Sequence, residues 1–258
     1  MLRKFLSGLI GGDKRSGQPE RERIFLDQMP AVIYAIGDVH GCYRLLKALE
    51  AKIVEDAAGI EGEKWIVCLG DYIDRGNSSA MVLDHLIARP PAGFRRFCIA
   101  GNHEHIAYDF IRNGNYTNGW LDFGGRETLA SYGLYEPSTQ AARLGRQLAS
   151  HIPEEHIDFL ARLPTMVALP GLCFVHAGID PNRTLQDQDE EVLLWSRPPD
   201  FPWPAGGTGQ RIIHGHTPVP ESDLSQDRIN IDLGAYSSGI LGAVKVTRDL
   251  GLSVILAS

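Results

Sequence analysis

The chain has few cysteines, no long apolar run and no surplus of positive charge. Only four cysteines occur in 258 residues, Cys42, Cys68, Cys98 and Cys173. None forms a Cys-x-x-Cys pair, which excludes a disulfide framework and a structural zinc site. Cys68 and Cys98 sit inside the apolar runs IVCLG and FCIAG, where a thiol behaves as a small hydrophobe. This usage points to a reducing compartment and a cytoplasmic protein. No run reaches the roughly 20 apolar residues that a membrane helix needs. The opening MLRKFLSGLIGG has a basic pair and a short apolar run, with no small-residue cleavage site before Asp13-Lys14-Arg15. It reads as a flexible tail in preference to a membrane-touching amphipathic segment. Lys and Arg total 25 against 32 Asp and Glu, a net charge of −7. That balance argues against binding a nucleic-acid backbone, because nothing would replace the displaced counterions.

What is present is an ordinary globular composition, 43% hydrophobic and 22% charged, enough for one full core. Residues 1–29 are polar and Gly-rich and read as a tail; residues 30–258 read as a single domain. At Ala31 the character changes. AVIYAIGDVHG is an apolar run followed by a helical pattern through Leu45, Leu46, Leu49 and Ile53. WIVCLGD repeats the arrangement with Met81, Val82, Leu86 and Ile87 behind it, and FRRFCIAGNHE repeats it again with Ile106 and Phe110. Continuous apolar strands alternating with helices indicate β-α-β units and a sheet covered on both faces. Residues 104–162 read mostly helical, with Pro153-Glu154-Glu155 as a helix first turn. Short strands follow, ending in a hairpin around Arg248-Asp249-Leu250-Gly251. The stretch RPPDFPWPAGGTG, from Arg197 to Gly209, reads as a surface loop.

Each of the three β-α units ends its strand in glycine followed by a metal-binding residue type. These are Gly37-Asp38-Val39-His40-Gly41, Gly70-Asp71-Tyr72-Ile73-Asp74-Arg75-Gly76 and Gly101-Asn102-His103-Glu104. Later strands end in His176-Ala177-Gly178 and His214-Gly215-His216. Ligands in open α/β sheets bind beyond the carboxyl ends of strands, so five loops can converge on one crevice. Glycine lets each backbone turn sharply and approach its neighbours. Carboxylate, imidazole and amide oxygen without thiolate suit manganese, iron or zinc in an open site. The donors are too many for one ion that keeps an open position, and two bridged ions would use them all.

GDVHG, GDYIDRG and GNHE, followed by HAG and GHTP, closely resemble the phosphoprotein phosphatase branch of the calcineurin-like metallophosphoesterases. The resemblance covers residues 33 to about 246, and its ordered strings are highly specific. It implies an α/β fold of the four-layer α+β type, with central β-sheets flanked by helices. It also implies a hydrolase with two divalent ions, Mn2+ first and Fe or Zn as alternatives. By motif, Asp38 and His40 would hold the first ion, Asp71 would bridge, and Asn102, His176 and His216 would complete the second. The implied reaction is in-line attack on phosphorus by a hydroxide held between the ions, without a covalent enzyme intermediate.

By the same resemblance His103 is the general acid for the leaving oxygen and Asp74 orients its imidazole. Arg75 grips the phosphate with a planar fork, and Arg197, in Trp195-Ser196-Arg197, is the second phosphate arginine. His216 precedes Thr-Pro and is the ligand of the HGHTP pair, which leaves His214 behind the site or packed. His85, His105, His151 and His156 lie outside the strand ends and read as surface or helix-packing residues. Asp232 reads as support from behind; Trp120, Phe123 and Tyr132 wall the cleft or fill the core. The main reading of function is a bacterial-type serine/threonine protein phosphatase acting on phosphoproteins, favoured by the Gly124–Gly133 segment GGRETLASYG. The alternative is a dinucleoside polyphosphate hydrolase of the bis(5'-nucleosyl)-tetraphosphatase kind. Substrate choice would belong to residues 113–150 and 198–209.

Overall fold

The apolar runs that end in glycine become strands buried on both faces. In the computed structural model, which describes residues 21–197, 200 and 207–258, Val32–Ile36 (β2), Lys64–Cys68 (β3) and Phe94–Cys98 (β4) run parallel. Tyr43–Asp56 (α1) and Ser79–Ile87 (α2) make the two crossovers that parallel neighbours require. Leu241–Thr247 (β9) pairs antiparallel with β2, and Leu252–Ala257 (β10) pairs antiparallel with β9. The first sheet therefore has the order β10-β9-β2-β3-β4. The second sheet is formed by Arg23–Phe25 (β1), Met166–Leu169 (β5), Leu172–Val175 (β6), Arg211–His214 (β7) and Arg228–Asn230 (β8), in that order. Within it only β5 and β6 are antiparallel.

The two-residue period of a strand divides each run between two cores. Ile33, Ala35, Trp65, Val67 and Leu69 meet Val167, Phe174, Ile213 and Ile229 between the sheets. Val32, Tyr34 and Ile36 face the other way, onto Leu46, Leu49 and Ile53 of α1. This mixed α/β architecture of two sheets flanked by helices is the one the motifs implied. The central region is helical as expected: Asn102–Asn113 (α3), a 3-10 turn at Trp120–Phe123, Gly125–Ser131 (α4), Ala141–His151 (α5) and Glu154–Arg162 (α6). Pro153 stands just before α6, with Glu154 and Glu155 in its first turn, where the helix dipole favours negative charge. Glu190–Trp195 (α7) and Ala235–Ser238 (α8) complete the helices. Among the described residues no helix is long and apolar enough to cross a membrane.

One local expectation changes. The tail boundary at residue 29 falls too late, because β1 pairs parallel with β5, Arg23 opposite Met166. Arg21 Nη1 also donates to Leu160 O at 2.7 Å and Leu163 O at 3.1 Å, satisfying carbonyls at the end of α6. Residues 21–29 thus belong with the domain. The reading of residues 1–20 and most of that for the 198–209 loop fall outside the described residues. The expected β9–β10 hairpin forms, with Leu250 in the left-handed conformation at φ 64; Arg211 Nη1 donates to its carbonyl at 3.1 Å.

Arg96 on the edge strand β4 ties two helices to the sheet. Its Nη1 donates to His85 O, Leu86 O and Ala88 O at 3.1–3.3 Å, at the C-terminus of α2. Its Nη2 meets Glu50 Oε2 of α1 at 2.6 Å, with the two side chains 4% and 11% exposed. Burial pushes Glu50 up, but bonds from His85 and Arg96 outweigh it and hold the carboxyl below its ordinary value. A depressed carboxyl stabilises the fold above its unfolded pKa and loses that contribution as pH falls through the folded one. Glu50→Gln is expected to lower unfolding stability by about 1–3 kcal/mol at neutral pH. Urea titrations at descending pH should show the gap to wild type closing below the usual glutamate range.

Candidate metal centre

Five strand ends meet at one place. β2 delivers Asp38 and His40, β3 delivers Asp71, Asp74 and Arg75, and β4 leads into Asn102 and His103 at the start of α3. From the second sheet β6 ends at His176 and β7 at His214 and His216. The loops are bent hard to do this. Of the six non-glycine residues with positive φ among those described, five are His40, Asp71, Asp74, Arg75 and His216. Such conformations cost about 1–3 kcal/mol each and persist only when the surroundings fix them. Glu104 supplies much of that fixing. Its fully buried carboxylate accepts the N–H groups of Asp71 (2.8 Å), Tyr72 (2.8 Å), Gly101 (2.9 Å) and Ile73 (3.3 Å). Gly70, with φ 96, brings β3 and β4 so close that a Cβ would lie 2.6 Å from Gly101 N. A Cβ on Gly215 would collide with the Asp38 carboxylate.

The imidazoles are oriented from behind. His40 Nδ1 donates to Ile73 O and His176 Nδ1 to Leu69 O, both at 2.9 Å. Each ring therefore presents an unprotonated Nε2 forward, an arrangement that suits metal ligation. His40 Nε2 faces Asp71 Oδ2 at 3.5 Å, and His176 Nε2 faces Asp71 Oδ1 at 3.4 Å. The two oxygens of Asp71 thus look to opposite sides. His176 Nε2 also lies 3.0 Å from Asn102 Oδ1 and 3.1 Å from His216 Nδ1, which is 2.9 Å from the same oxygen. Several lone-pair donors crowded this closely, two of them imidazole nitrogens left unprotonated by their backbone partners, make a cluster that a cation can bind, so these residues fit metal ions. Two groups, His40 with Asp71 and His103, and Asp71 with His176 and His216, each gather ligand atoms within 4.8 Å of one another.

Charge tells the same story. Asp38, Asp71, Asp74, Glu104 and Asp232 are all buried. Burial, the Asp232 charge and Asp71 push Asp38 well above its ordinary value; burial is also what pushes Asp232 up, to about 6, with Asp71 adding to it. Burial and Asp71 raise Glu104 to about 7 against the pull of its backbone donors. Burial would raise Asp71 as well, but His176, His103, His40 and His216 hold it below the carboxylate range. Burial drops His40 to about 3 and His216 to about 2, so the rings are neutral imidazoles, the ligating form. Asp38 stands outside the two groups; both its oxygens accept the His216 N–H, at 3.2 and 3.1 Å.

Beside the carboxylates lies an imidazole–carboxylate pair. His103 Nδ1 donates to Asp74 Oδ2 at 2.7 Å, and Arg75 Nη2 donates to His103 Nε2 at 3.1 Å. Burial would lower His103, but the charges of Asp71 and Asp74 raise it. Arg75 lies over the half-exposed ring of Tyr236, 4.8 Å from its centroid, and that ring meets His40 edge-on. Arg197 is exposed, its backbone N–H donating to Asp200 Oδ2 at 2.7 Å, and its charge reaches His176 and His216, lowering both. His214 turns away: its Nε2 accepts Arg228 Nε at 3.2 Å and its Nδ1 donates to Gly215 O. His85, His105, His151 and His156 pair with Glu50, Glu190, Gln147 and Asp84 outside the centre. Trp120 is fully buried and bonded to Asp74, and Tyr132 bonds His156, so neither walls the cleft. Sequence reasoning assigned no part to Glu104, Tyr236 or Thr128.

A family model for calcineurin-like phosphoesterase matches residues 31–256. The chain is 26% identical over 230 residues to the asymmetrical bis(5'-nucleosyl)-tetraphosphatase PrpE of Oceanobacillus iheyensis, covering 81% of this chain and 86% of that one. It is 29% identical over 246 residues to the protein of the same name from Geobacillus thermodenitrificans, covering 85% and 92%. Among solved structures, one named as a candidate diadenosine tetraphosphatase superposes with TM-score 0.63 at 17% identity, over 92% of this chain and 99% of that one. A Saccharomyces cerevisiae protein serine/threonine phosphatase superposes with TM-score 0.57 at 17% identity, over 93% and 84%. At these identities the superpositions speak to the fold.

Buried carboxylates that repel one another in the protein alone should make the fold depend on cations. Chelator-treated protein is expected to melt several degrees below protein given excess Mn2+, since a site filled at a hundred times its Kd contributes about 2.7 kcal/mol. Asp71→Asn should abolish most of that shift in a thermal melt. An unchanged Tm on adding Mn2+, Fe2+ or Zn2+ would contradict the assignment.

Proposed function

The chain belongs to the calcineurin-like phosphoesterase family, and we propose that it is a two-metal hydrolase of dinucleoside polyphosphates. Asp38, His40 and Asp71 would hold one ion, and Asp71, Asn102, His176 and His216 the other. Mn2+ is the first choice, and Fe or Zn suit the same thiolate-free donor set. When bound, such ions supply Lewis acidity toward the phosphoryl oxygens and a low-pKa water for the attack. The protein's own groups do the rest. Arg75, held against Tyr236, and Arg197 across the centre would grip the phosphoryl oxygens through planar forks. His103 would deliver a proton from Nε2 to the leaving oxygen, which requires Arg75 to turn from that nitrogen toward the phosphate. Asp74 keeps the opposite nitrogen, Nδ1, protonated and fixes the ring plane.

The observation that carries the substrate is the match, over more than four fifths of this chain, to proteins named as asymmetrical bis(5'-nucleosyl)-tetraphosphatases. It favours the nucleotide reading over the phosphoprotein reading. The Gly124–Gly133 segment that favoured phosphoproteins has a structural duty instead: Thr128 bonds Asp74, and Gly124 O accepts the Arg75 N–H. Its likeness to protein phosphatases therefore reports shared machinery and says nothing of the substrate. The free thiols fit a reducing compartment, and we place the protein in the cytoplasm.

Diadenosine tetraphosphate and a phosphoserine peptide, compared by kcat/KM on Mn2+-loaded protein, test the proposal. The nucleotide is expected to win by at least about tenfold, a gap of about 1.4 kcal/mol in transition-state binding, with AMP and ATP as products. Two molecules of ADP would contradict asymmetric cleavage. A preference for the peptide would restore the phosphoprotein reading.

A further inference from the structure

We propose that Trp120 and Thr128 are positioning residues for the Asp74–His103 pair, and that the segment 118–128 serves catalysis and not substrate choice. This rests on the reading of His103 as the proton donor. Asp74 is fully buried, and each of its oxygens is engaged by this segment. Thr128 Oγ1 donates to Oδ1 at 2.7 Å, and Trp120 Nε1 donates across both oxygens at 3.1 and 2.9 Å. The remaining bond, at 2.7 Å, is the one to His103 Nδ1. Thr128 also works on the backbone, since its Oγ1 accepts the Asp74 N–H at 2.8 Å. It thereby closes a small ring around a residue held at φ 72.

The same segment reaches the neighbouring arginine. Gly124 O accepts the Arg75 N–H at 3.4 Å. A Cβ at Gly124, which has φ 111, would sit 2.6 Å from that nitrogen, and one at Gly125 would sit 2.6 Å from the Trp120 ring. Asn118 braces the segment from its other end, its Oδ1 accepting the Trp120 N–H at 3.1 Å and its Nδ2 donating to Ile106 O at 2.9 Å. Among the described residues the hydrogen bonds from this segment toward the centre go to Asp74 and Arg75. Its route to the chemistry therefore runs through those two residues.

The consequence is specific. A buried carboxylate that loses a donor is less well fixed and holds the imidazole plane less rigidly. Proton delivery to the leaving oxygen then suffers, whereas steps that need no proton do not. Loss of Thr128 Oγ or Trp120 Nε1 should therefore hurt esters of poor leaving groups and spare esters of good ones.

The experiment measures kcat and KM for 4-nitrophenyl, phenyl and alkyl phosphates on wild type, T128V, T128S, W120F and H103N. T128V and W120F are expected to lose about tenfold in kcat on the phenyl and alkyl esters with KM unchanged. That is part of the about 10²–10⁴ that general acid catalysis supplies. On 4-nitrophenyl phosphate they should change by less than about threefold, and T128S, which keeps the hydroxyl, should track wild type. Added to H103N, T128V should cost nothing further, as expected for groups acting as a unit. A readout independent of turnover is the His103 Nδ1–H proton resonance of metal-free protein. It should be downfield and protected in wild type and T128S, and weakened in T128V and W120F. Equal losses on every ester, or multiplicative losses in the double variant, would overturn the inference alone. Absence of leaving-group selectivity in H103N itself would overturn the role of His103 and the inference with it.

Discussion

Asp71 must keep its negative charge where almost no water reaches it, at 2% exposure, while Asp38, Glu104 and Asp232 share the same small volume and can ionise only against burial and its like charge, which push all three carboxyls up. Like charges about 4 Å apart repel by about 4 kcal/mol at an effective dielectric of 20. The imidazoles relieve this only in part: burial leaves His40 and His216 neutral, whereas His103 is raised beside Asp71 and Asp74. Arg75 is a further cation placed to one side. What the arrangement lacks in positive charge is what divalent ions bring, and the lone pairs of His40, His176 and Asn102 already point where such ions would sit.

That electrostatic demand explains the backbone. Each left-handed residue costs about 1–3 kcal/mol, less than one unrelieved charge pair, so local strain is the smaller penalty when it lets donors converge. The strain is contained by rigid parts: buried strands on one side, the Glu104 carboxylate gathering four N–H groups on the other. The N-terminus of α3 also faces the Asp71 carboxylate, with His103 N donating to Oδ1 at 3.1 Å, where a helix favours an anion. Positions that look over-determined in the sequence, such as Gly70 and Gly215, are those where two loops touch without room for a side chain.

The strands, the helical middle and the donor residues were legible because each is written locally, as an apolar run, a 3.6-residue pattern or a glycine-flanked string. The supports were not, because they are long-range. Thr128 and Trp120 lie 54 and 46 residues from Asp74 in the chain, and a buried Trp reads equally as core. β1 escaped notice because three residues, Arg-Ile-Phe, carry no period; only the neighbouring edge of β5 makes them a strand. Leu250 taking the left-handed position beside Gly251 is a case of tertiary context overriding propensity. The relatives favour the alternative over the lean toward phosphoproteins, which took substrate information from a segment whose contacts are with Asp74 and Arg75.

The central claim is that one carboxylate joins two ion sites, and electron paramagnetic resonance of Mn2+-loaded protein tests it most directly. The account predicts two Mn2+ bound per chain with an exchange-coupled spectrum, and loss of that coupling in Asp71→Asn. Binding of a single ion, or of two ions with the spectrum of isolated Mn2+ in the wild type, would contradict it.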